Sequence, residues 1–211
     1  LTASGSPGLA ASLFAVPSGS TGARTFNGST QYFQKFNGTF PTSSATVAAQ
    51  VANEGAVSAV FNPDSVTGQR TIFAYEGLTG SASSAENKIF SLYTNGTEIL
   101  VRWEHGSGTL VSSQTTGAGL ATGNSYLVVC AWAGATTKTL RVYLFRQGAG
   151  LVHEETFSGL TGADGGANSD LQIARGRDDS TYFDGTIDDP PFGDRVEIVA
   201  MDRGGHGGHG H

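Results

Sequence analysis

The segment Phe183-Asp-Gly-Thr-Ile-Asp-Asp, which two prolines follow directly, constrains the fold of this chain more than any other stretch. Its spacing predicts a strand whose Phe183 and Ile187 side chains both face a core. Gly185 lies between them and suits a place where another backbone comes too close for a Cβ atom. Because proline donates no hydrogen bond to a sheet, the strand must stop at Asp188-Asp189 or lie at an edge. We therefore expect these two aspartates at the rim of the domain.

The composition agrees with a chain of many strands and turns. Among 211 residues there are 31 glycines, roughly twice the average usage of about 7%. Such a content is typical of a many-turned β protein or of a disordered chain. The hydrophobic residues make up 38% of the chain and lie in periodic runs, which favours the folded alternative. No apolar repeat of helical length is present, so we predict one all-β domain.

Asn-Gly pairs occur at 27–28, 37–38 and 95–96 and carry turn chemistry, and two of the three predict hairpin turns. Asn95-Gly96 separates the apolar runs 88–94 and 97–103, and the pair suits the two positive φ angles of a type I′ turn. Asn27-Gly28 lies between Phe26 and the next aromatic run in the same way. Both pairs therefore predict antiparallel neighbours in a sheet.

Two longer apolar runs predict the centre of the sandwich. Residues 125–132 carry apolar side chains on both faces, which indicates a central strand covered on each side. Cys130 lies within this run, so we expect a buried, unreactive thiol. Residues 139–146 alternate instead, and a short connection predicts antiparallel pairing with the first run. The side chains expected to point inward are Leu140, Val142 and Leu144.

The ends of the chain differ in composition from its centre. Residues 1–23 are rich in Ser, Gly, Ala and Thr and are predicted to form a flexible arm or linker, while residues 201–211 form a Gly/His-rich tail. The sandwich is expected to span residues 24–200. A net charge of −6 with scattered Lys and Arg argues against nucleic acid as a partner. No run of 18 apolar residues is present, so we predict no membrane insertion.

In this order, the elements resemble the concanavalin A-like lectin/glucanase superfamily, and within it the LamG-like jelly-roll domains. The resemblance spans roughly residues 24–189 and implies a two-sheet antiparallel β-sandwich of the jelly-roll type. The segments that carry it are Phe26-Asn-Gly, Gln31-Tyr-Phe, residues 125–132, Leu140-Arg-Val-Tyr, Ile173-Ala-Arg-Gly and residues 183–189. The chain departs from the family where Pro190-Pro-Phe-Gly-Asp-Arg replaces the usual apolar continuation.

The same resemblance implies a structural calcium ion at the rim of the sandwich. By resemblance, Asp188 or Asp189 of the closing strand is the candidate ligand. The acidic loop residues Asp178 and Asp179 are expected to add oxygen ligands, which Ca²⁺ prefers. The alternative is that these carboxylates are solvated turn residues that bond the local backbone.

Carbohydrate recognition calls for an exposed aromatic ring with polar groups beside it. Trp103, Glu104 and His105 follow one another near the end of a predicted strand, and Tyr93 lies on the preceding strand. These four residues are the candidate ligand-binding site. For each ring, packing in the core is the competing interpretation.

A glycoside hydrolase on this fold would need two carboxylates a few residues apart on one strand. Glu154 and Glu155 are adjacent and so point to opposite faces, and Glu104 has no acidic partner within four residues. We therefore expect no catalytic site.

The expected function is that of a non-catalytic, lectin-like subunit for adhesion, display or decoration on an extracellular particle, such as a phage virion or a bacterial surface. Its expected partners are glycans, including host-surface polysaccharide, and other structural subunits. The alternatives are a soluble carbohydrate-binding module and, less favoured, a glycoside hydrolase.

Overall fold

The computed structural model describes residues 2–4, 8–10, 23–35, 54–77, 88–105, 109–134, 137–161, 169–176 and 181–188. These residues form strands and the turns between them, and the strands build two antiparallel sheets that make a sandwich. The predicted all-β sandwich is confirmed. No helix long and apolar enough to cross a membrane is found among the residues that the model describes.

The strands, in chain order, are β1 (Thr2–Ser4), β2 (Gly8–Ala10), β3 (Ala23–Asn27), β4 (Tyr32–Lys35), β5 (Glu54–Pro63), β6 (Gln69–Gly77), β7 (Lys88–Asn95), β8 (Glu98–His105), β9 (Thr109–Gln114), β10 (Tyr126–Ala133), β11 (Thr137–Arg146), β12 (Gly150–Thr161), β13 (Ser169–Ile173) and β14 (Asp184–Asp188). The first sheet has the order β1-β4-β13-β6-β7-β8-β9, and the second has the order β12-β11-β10-β5-β14-β3-β2. Hence β10 and β11 are antiparallel neighbours within the second sheet, as predicted.

The core lies between the sheets and is rich in aromatic rings. Phe61 is fully buried, with its ring stacked on Tyr126 at 5.7 Å and edge-on to Phe183 at 6.1 Å. Ile187 is also buried, which confirms the predicted inward face of the closing segment. Gly185 has a φ of 137°, and a Cβ there would lie 2.2 Å from the carbonyl oxygen of Asn62. The predicted close backbone approach at this glycine is confirmed.

The Asn-Gly pairs at 27–28 and 95–96 behave differently from the prediction, and the pair at 37–38 lies outside the described residues. In the β7–β8 hairpin, Asn95 pairs with Glu98, so the loop residues are Gly96 and Thr97. Only Gly96 of the two has a positive φ, at 62°, which fits a type II′ turn and not the predicted type I′ turn. The hairpin itself is confirmed.

Asn27-Gly28 forms no hairpin, because β3 belongs to the second sheet and β4 to the first. The Asn27 side chain instead organises the crossing: its Oδ1 accepts hydrogen bonds from the backbone N–H groups of Ser29, Thr30 and Gln31. A side chain that bonds the next turn of backbone is the other common use of asparagine. Local sequence could not separate these two uses.

The predicted N-terminal arm contributes to both sheets where the model describes it. β1 pairs with β4, and β2 pairs with β3. Residues 11–22, and the predicted tail at 201–211, lie outside the described residues. Two short parts of the arm are thus sheet edges and not a free linker.

Cys130 is fully buried on β10, and burial raises the pKa of its thiol. Because the thiolate is the reactive form, we expect the native protein to resist an aromatic disulfide reagent at pH 8. Reaction should become complete within minutes in denaturant. Rapid labelling of one thiol per chain without denaturant would contradict this placement.

Candidate functional site

The outer face of the second sheet carries aromatic side chains that the core does not use. On β11, Leu140, Val142 and Leu144 are buried in the core cluster. Because side chains alternate along a strand, Tyr143 and Phe145 point to the opposite face, where both are partly exposed. An aromatic pair is therefore presented on β11, a strand with neighbours on both sides.

Backbone pairing extends this pair into a continuous apolar surface. Phe145 pairs with Leu127 on β10 and with Leu151 on β12, and Tyr143 pairs with Val129. Leu127 in turn pairs with Val60 on β5. We call these six side chains, five partly exposed and one about half exposed, the aromatic face: Val60, Leu127, Val129, Tyr143, Phe145 and Leu151.

The exposure of this face corrects one expectation. The run that forms β10 was predicted to be covered on both sides, but Leu127 and Val129 are partly exposed. Leu151 at the start of β12 is 49% exposed. A contiguous exposed apolar patch of this kind commonly marks a binding surface.

Polar groups adjoin the aromatic ring of Tyr143. Glu154 on β12 pairs directly with Tyr143 on β11, and Arg141 lies two residues before Tyr143 on β11. Both side chains are exposed. In the described part of the chain, neither side chain makes an ion pair or a hydrogen bond. The Tyr143 ring, the Arg141 guanidinium as hydrogen-bond donor and the Glu154 carboxylate as acceptor are thus available to a ligand on one sheet surface.

The predicted ligand-binding residues lie on the other sheet. Trp103, Glu104 and His105 end β8, where their backbones pair with β9; their side chains are not among those described. Tyr93 is 1% exposed, and the guanidinium of Arg102 lies 5.4 Å from its ring centroid. A ring this buried has no free face for a sugar, so the prediction for Tyr93 is corrected.

The predicted calcium ligands are only partly described. Asp188 is the last residue of β14, and its side chain is 1% exposed. The strand thus ends where the prolines predicted, and the side chain of Asp188 is buried at that end. Asp178, Asp179 and Asp189 lie outside the described residues. Among the side chains that are described, no three His, Cys, Asp or Glu could jointly hold a metal ion, and the calcium site stays a prediction.

Glu98, at the start of β8, holds the loop that leads from β9 to β10. Its Oε2 accepts hydrogen bonds from the Thr115 hydroxyl at 2.8 Å and the Ala118 N–H at 2.9 Å. Its Oε1 accepts one from the Gly117 N–H at 3.0 Å. Burial raises the pKa of this carboxyl, but the hydrogen bonds outweigh it, and the net pKa lies below the ordinary value. The charged form is thus the one that the loop binds.

Glu155 serves the same loop from the second sheet. Its Oε2 accepts the Thr116 N–H at 2.7 Å and lies 3.3 Å from the His153 Nε2. Glu155 therefore faces the sheet interface, whereas its neighbour Glu154 is exposed on the outer face, as their adjacency predicted. Both loop-facing carboxylates are engaged with backbone amides, which is a structural use.

We expect Glu98→Gln to lower the free energy of unfolding by about 1–2 kcal/mol at pH 7, since charge-assisted hydrogen bonds become neutral ones. A lowered pKa in the folded state stabilises above the ordinary glutamate value of 4.5, and this contribution is lost as the pH falls through the lower folded value. The difference between the two proteins in urea unfolding should therefore vanish in acid. A difference that is independent of pH from 7 to 3 would contradict this role.

Sequence reasoning missed Arg141, Tyr143, Phe145 and Glu154 as site residues. The signal was available, because placing Leu140, Val142 and Leu144 inward puts the intervening residues on the outer face. Their exposure was not readable, since it depends on what covers the sheet.

The architecture is that of a lectin-like β-sandwich, and the family follows from the sequence. The chain belongs to the concanavalin A-like lectin/glucanases superfamily, because the Laminin_G_3 family model of that superfamily matches residues 27–196. The resemblance seen in the sequence motifs is confirmed. No curated protein matches the chain in sequence.

Solved structures share the fold at low sequence identity. One is the CBM40 of the Ruminococcus gnavus IT-sialidase bound to α2,3 sialyllactose, with a TM-score of 0.53 and 12% identity over 83% of this chain and 89% of that chain. Another is the receptor binding domain of the botulinum neurotoxin C/D mosaic serotype, with a TM-score of 0.55 and 11% identity. That match covers 89% of this chain and 41% of the neurotoxin chain. At these identities the likeness concerns the fold alone.

Proposed function

We propose that this chain is a non-catalytic, lectin-like domain that binds glycans on its aromatic face. The observation that carries the proposal is the ring of Tyr143, partly exposed on the interior strand β11 with Arg141 and Glu154 beside it. Tyrosine offers an apolar ring and a hydroxyl, which suits a ligand with apolar C–H faces and polar edges. Strands hold these groups with little freedom, so less conformational entropy is lost on binding.

The comparisons support a binding role over a catalytic one. One structural neighbour is a CBM40 in complex with α2,3 sialyllactose, and another is a receptor binding domain. In this chain, Glu98 and Glu155 accept hydrogen bonds from loop backbone amides. A glycosidase would instead need its carboxylates turned toward the scissile bond.

We further propose that glycan binding serves adhesion or display on an extracellular particle such as a virion or a bacterial surface. Paired segments of the N-terminal arm support this part, since β1 and β2 lie at the edges of the two sheets, where one chain can meet the next. Sedimentation of the full chain distinguishes it from a soluble carbohydrate-binding module. Assembly that rises with concentration and is lost without residues 1–22 favours the particle subunit, whereas a monomer at all concentrations favours the module.

We expect Tyr143→Ala to weaken glycan binding by at least about tenfold, equivalent to about 1.4 kcal/mol, because a stacking surface is removed. A glycan array followed by calorimetry on the strongest ligand measures this. Trp103→Ala is the matched comparison on the first sheet and should leave affinity unchanged. Loss of binding with Trp103→Ala alone would move the site to the end of β8.

A further inference from the structure

The charges around the aromatic face discriminate between classes of glycan. Resting on the proposed function, we infer that the ligand of this face is an uncharged saccharide whose neighbouring hydroxyls bind Arg141 and Glu154, and not a sialylated or otherwise acidic glycan. This separates the chain from its structural neighbour, whose bound ligand is α2,3 sialyllactose.

The first argument is the balance of charge beside Tyr143. Among the described side chains on the outer faces of β11 and β12, the charged ones are Arg141 and Glu154. Asp184 and Asp188 share the outer face but lie on β14, three strands from β11, which is roughly 14 Å or more and beyond the Debye length. The two local charges therefore cancel, and the surface beside Tyr143 has no net positive charge to attract an anionic ligand.

The second argument is the chemistry beside Tyr143. Glu154 is directly across from this ring, and Arg141 is one position further along the same face, roughly 7 Å away. A sugar hydroxyl both donates and accepts, so a pair of them satisfies the carboxylate and the guanidinium together. A ligand carboxylate would bind Arg141 but would lie well within the Debye length, about 8 Å at physiological salt, of Glu154. An uncharged ligand uses both groups without this repulsion.

The third argument is the room beside Arg141. On β10 its backbone partner is Ala131, and on β5 the partner of Ala131 is Ala56. One position along, Ser58 lies across from Val129. Because these side chains are small, they leave room next to the Tyr143 ring. The rest of the aromatic face is formed by larger side chains, Phe145 and Leu127. A sugar ring on Tyr143 is thus offered space on its β10 side, next to Arg141, while Glu154 lies on its β12 side.

The test compares matched ligands that differ by one acidic sugar. The full chain is titrated calorimetrically with lactose-terminated and 3′-sialyllactose-terminated oligosaccharides at 20 mM and 300 mM salt. We expect the neutral ligand to bind at least about tenfold more tightly at low salt. We expect the gap to narrow at high salt, because the repulsion is screened.

Variants on the two strands complete the test. Arg141→Ala should lower the affinity for the neutral ligand about tenfold. Arg146→Ala is the matched control, because Arg146 also lies on β11 but alternates onto the opposite face of the strand from Arg141. Glu154→Gln should weaken the neutral ligand and raise the affinity for the sialylated one, a reversal that general unfolding cannot produce. Thermal unfolding confirms that each variant folds.

The outcomes separate this inference from the function on which it rests. Equal or tighter binding of the sialylated ligand by the unaltered chain overturns the inference and leaves glycan binding intact. The same holds if Glu154→Gln leaves the ratio of the two affinities unchanged. Binding of no glycan in a broad array overturns the proposed function itself.

Discussion

Replacing Gly185 by alanine is expected to destabilise the fold by about 3 kcal/mol or more, through backbone strain and overpacking combined. The new Cβ would lie 2.2 Å from the Asn62 carbonyl oxygen and 2.8 Å from the Asp64 backbone nitrogen. Asn62 belongs to the paired strand β5 and Asp64 directly follows that strand, so these backbone atoms cannot rotate away as a side chain could. A φ of 137° adds strain for any residue with a Cβ atom. Denaturant unfolding at 25 °C measures the effect.

Gly68→Ala is the matched control for this experiment. Gly68 also has a positive φ, at 70°, but no atom lies within 4 Å of its Cβ position. Its substitution should cost only the conformational penalty, about 1–2 kcal/mol. Equal losses at the two glycines would show that close approach to β5 is not what requires Gly185.

Phe61→Ala is expected to lower the free energy of unfolding by about 3–5 kcal/mol, because it opens a cavity between the sheets. Phe61 is fully buried and touches the rings of both Tyr126 and Phe183. Two favourable aromatic contacts are lost together with the buried area. Urea unfolding at constant pH measures the change.

Phe145→Ala removes the same side chain from the outer face and provides the comparison. Phe145 is partly exposed and outside the core cluster, so its loss should cost less than about 1 kcal/mol. A stability loss as large as that of Phe61→Ala would mean that another part of the molecule covers the aromatic face. The proposed glycan site would then have to lie elsewhere.

The substitutions Phe61→Ala and Phe145→Ala compare the inner and the outer face of the second sheet, and the functional proposal depends on the difference between these faces. The core between the sheets makes the strands rigid, and the rigid strands hold Arg141, Tyr143 and Glu154 at fixed spacing. If the inner face carries the stability and the outer face does not, the outer residues are available for recognition. Variants of the outer face should therefore change binding with little change in stability.

Part of the fold could be predicted from sequence because it depends on short-range pattern. The inward positions Phe183 and Ile187, the need for glycine between them and the buried thiol of Cys130 all follow from alternation and residue size. The β7–β8 hairpin could be predicted from the Asn95-Gly96 pair. The turn type could not, because the pairing register of the two strands decides which residues form the loop.

The amino-acid sequence by itself determined that this chain forms alternating strands, which of their residues face a core and which superfamily it belongs to. Only the tertiary structure decided that Asn27-Gly28 crosses between sheets, that Asp188 is buried at the end of β14, and that Tyr143 is partly exposed beside Glu154. The physical reason is the separation along the sequence of the residues involved. Alternation of side chains depends on neighbours within one strand, whereas the exposure of a sheet face depends on strands that are distant in sequence and on whatever packs against that face.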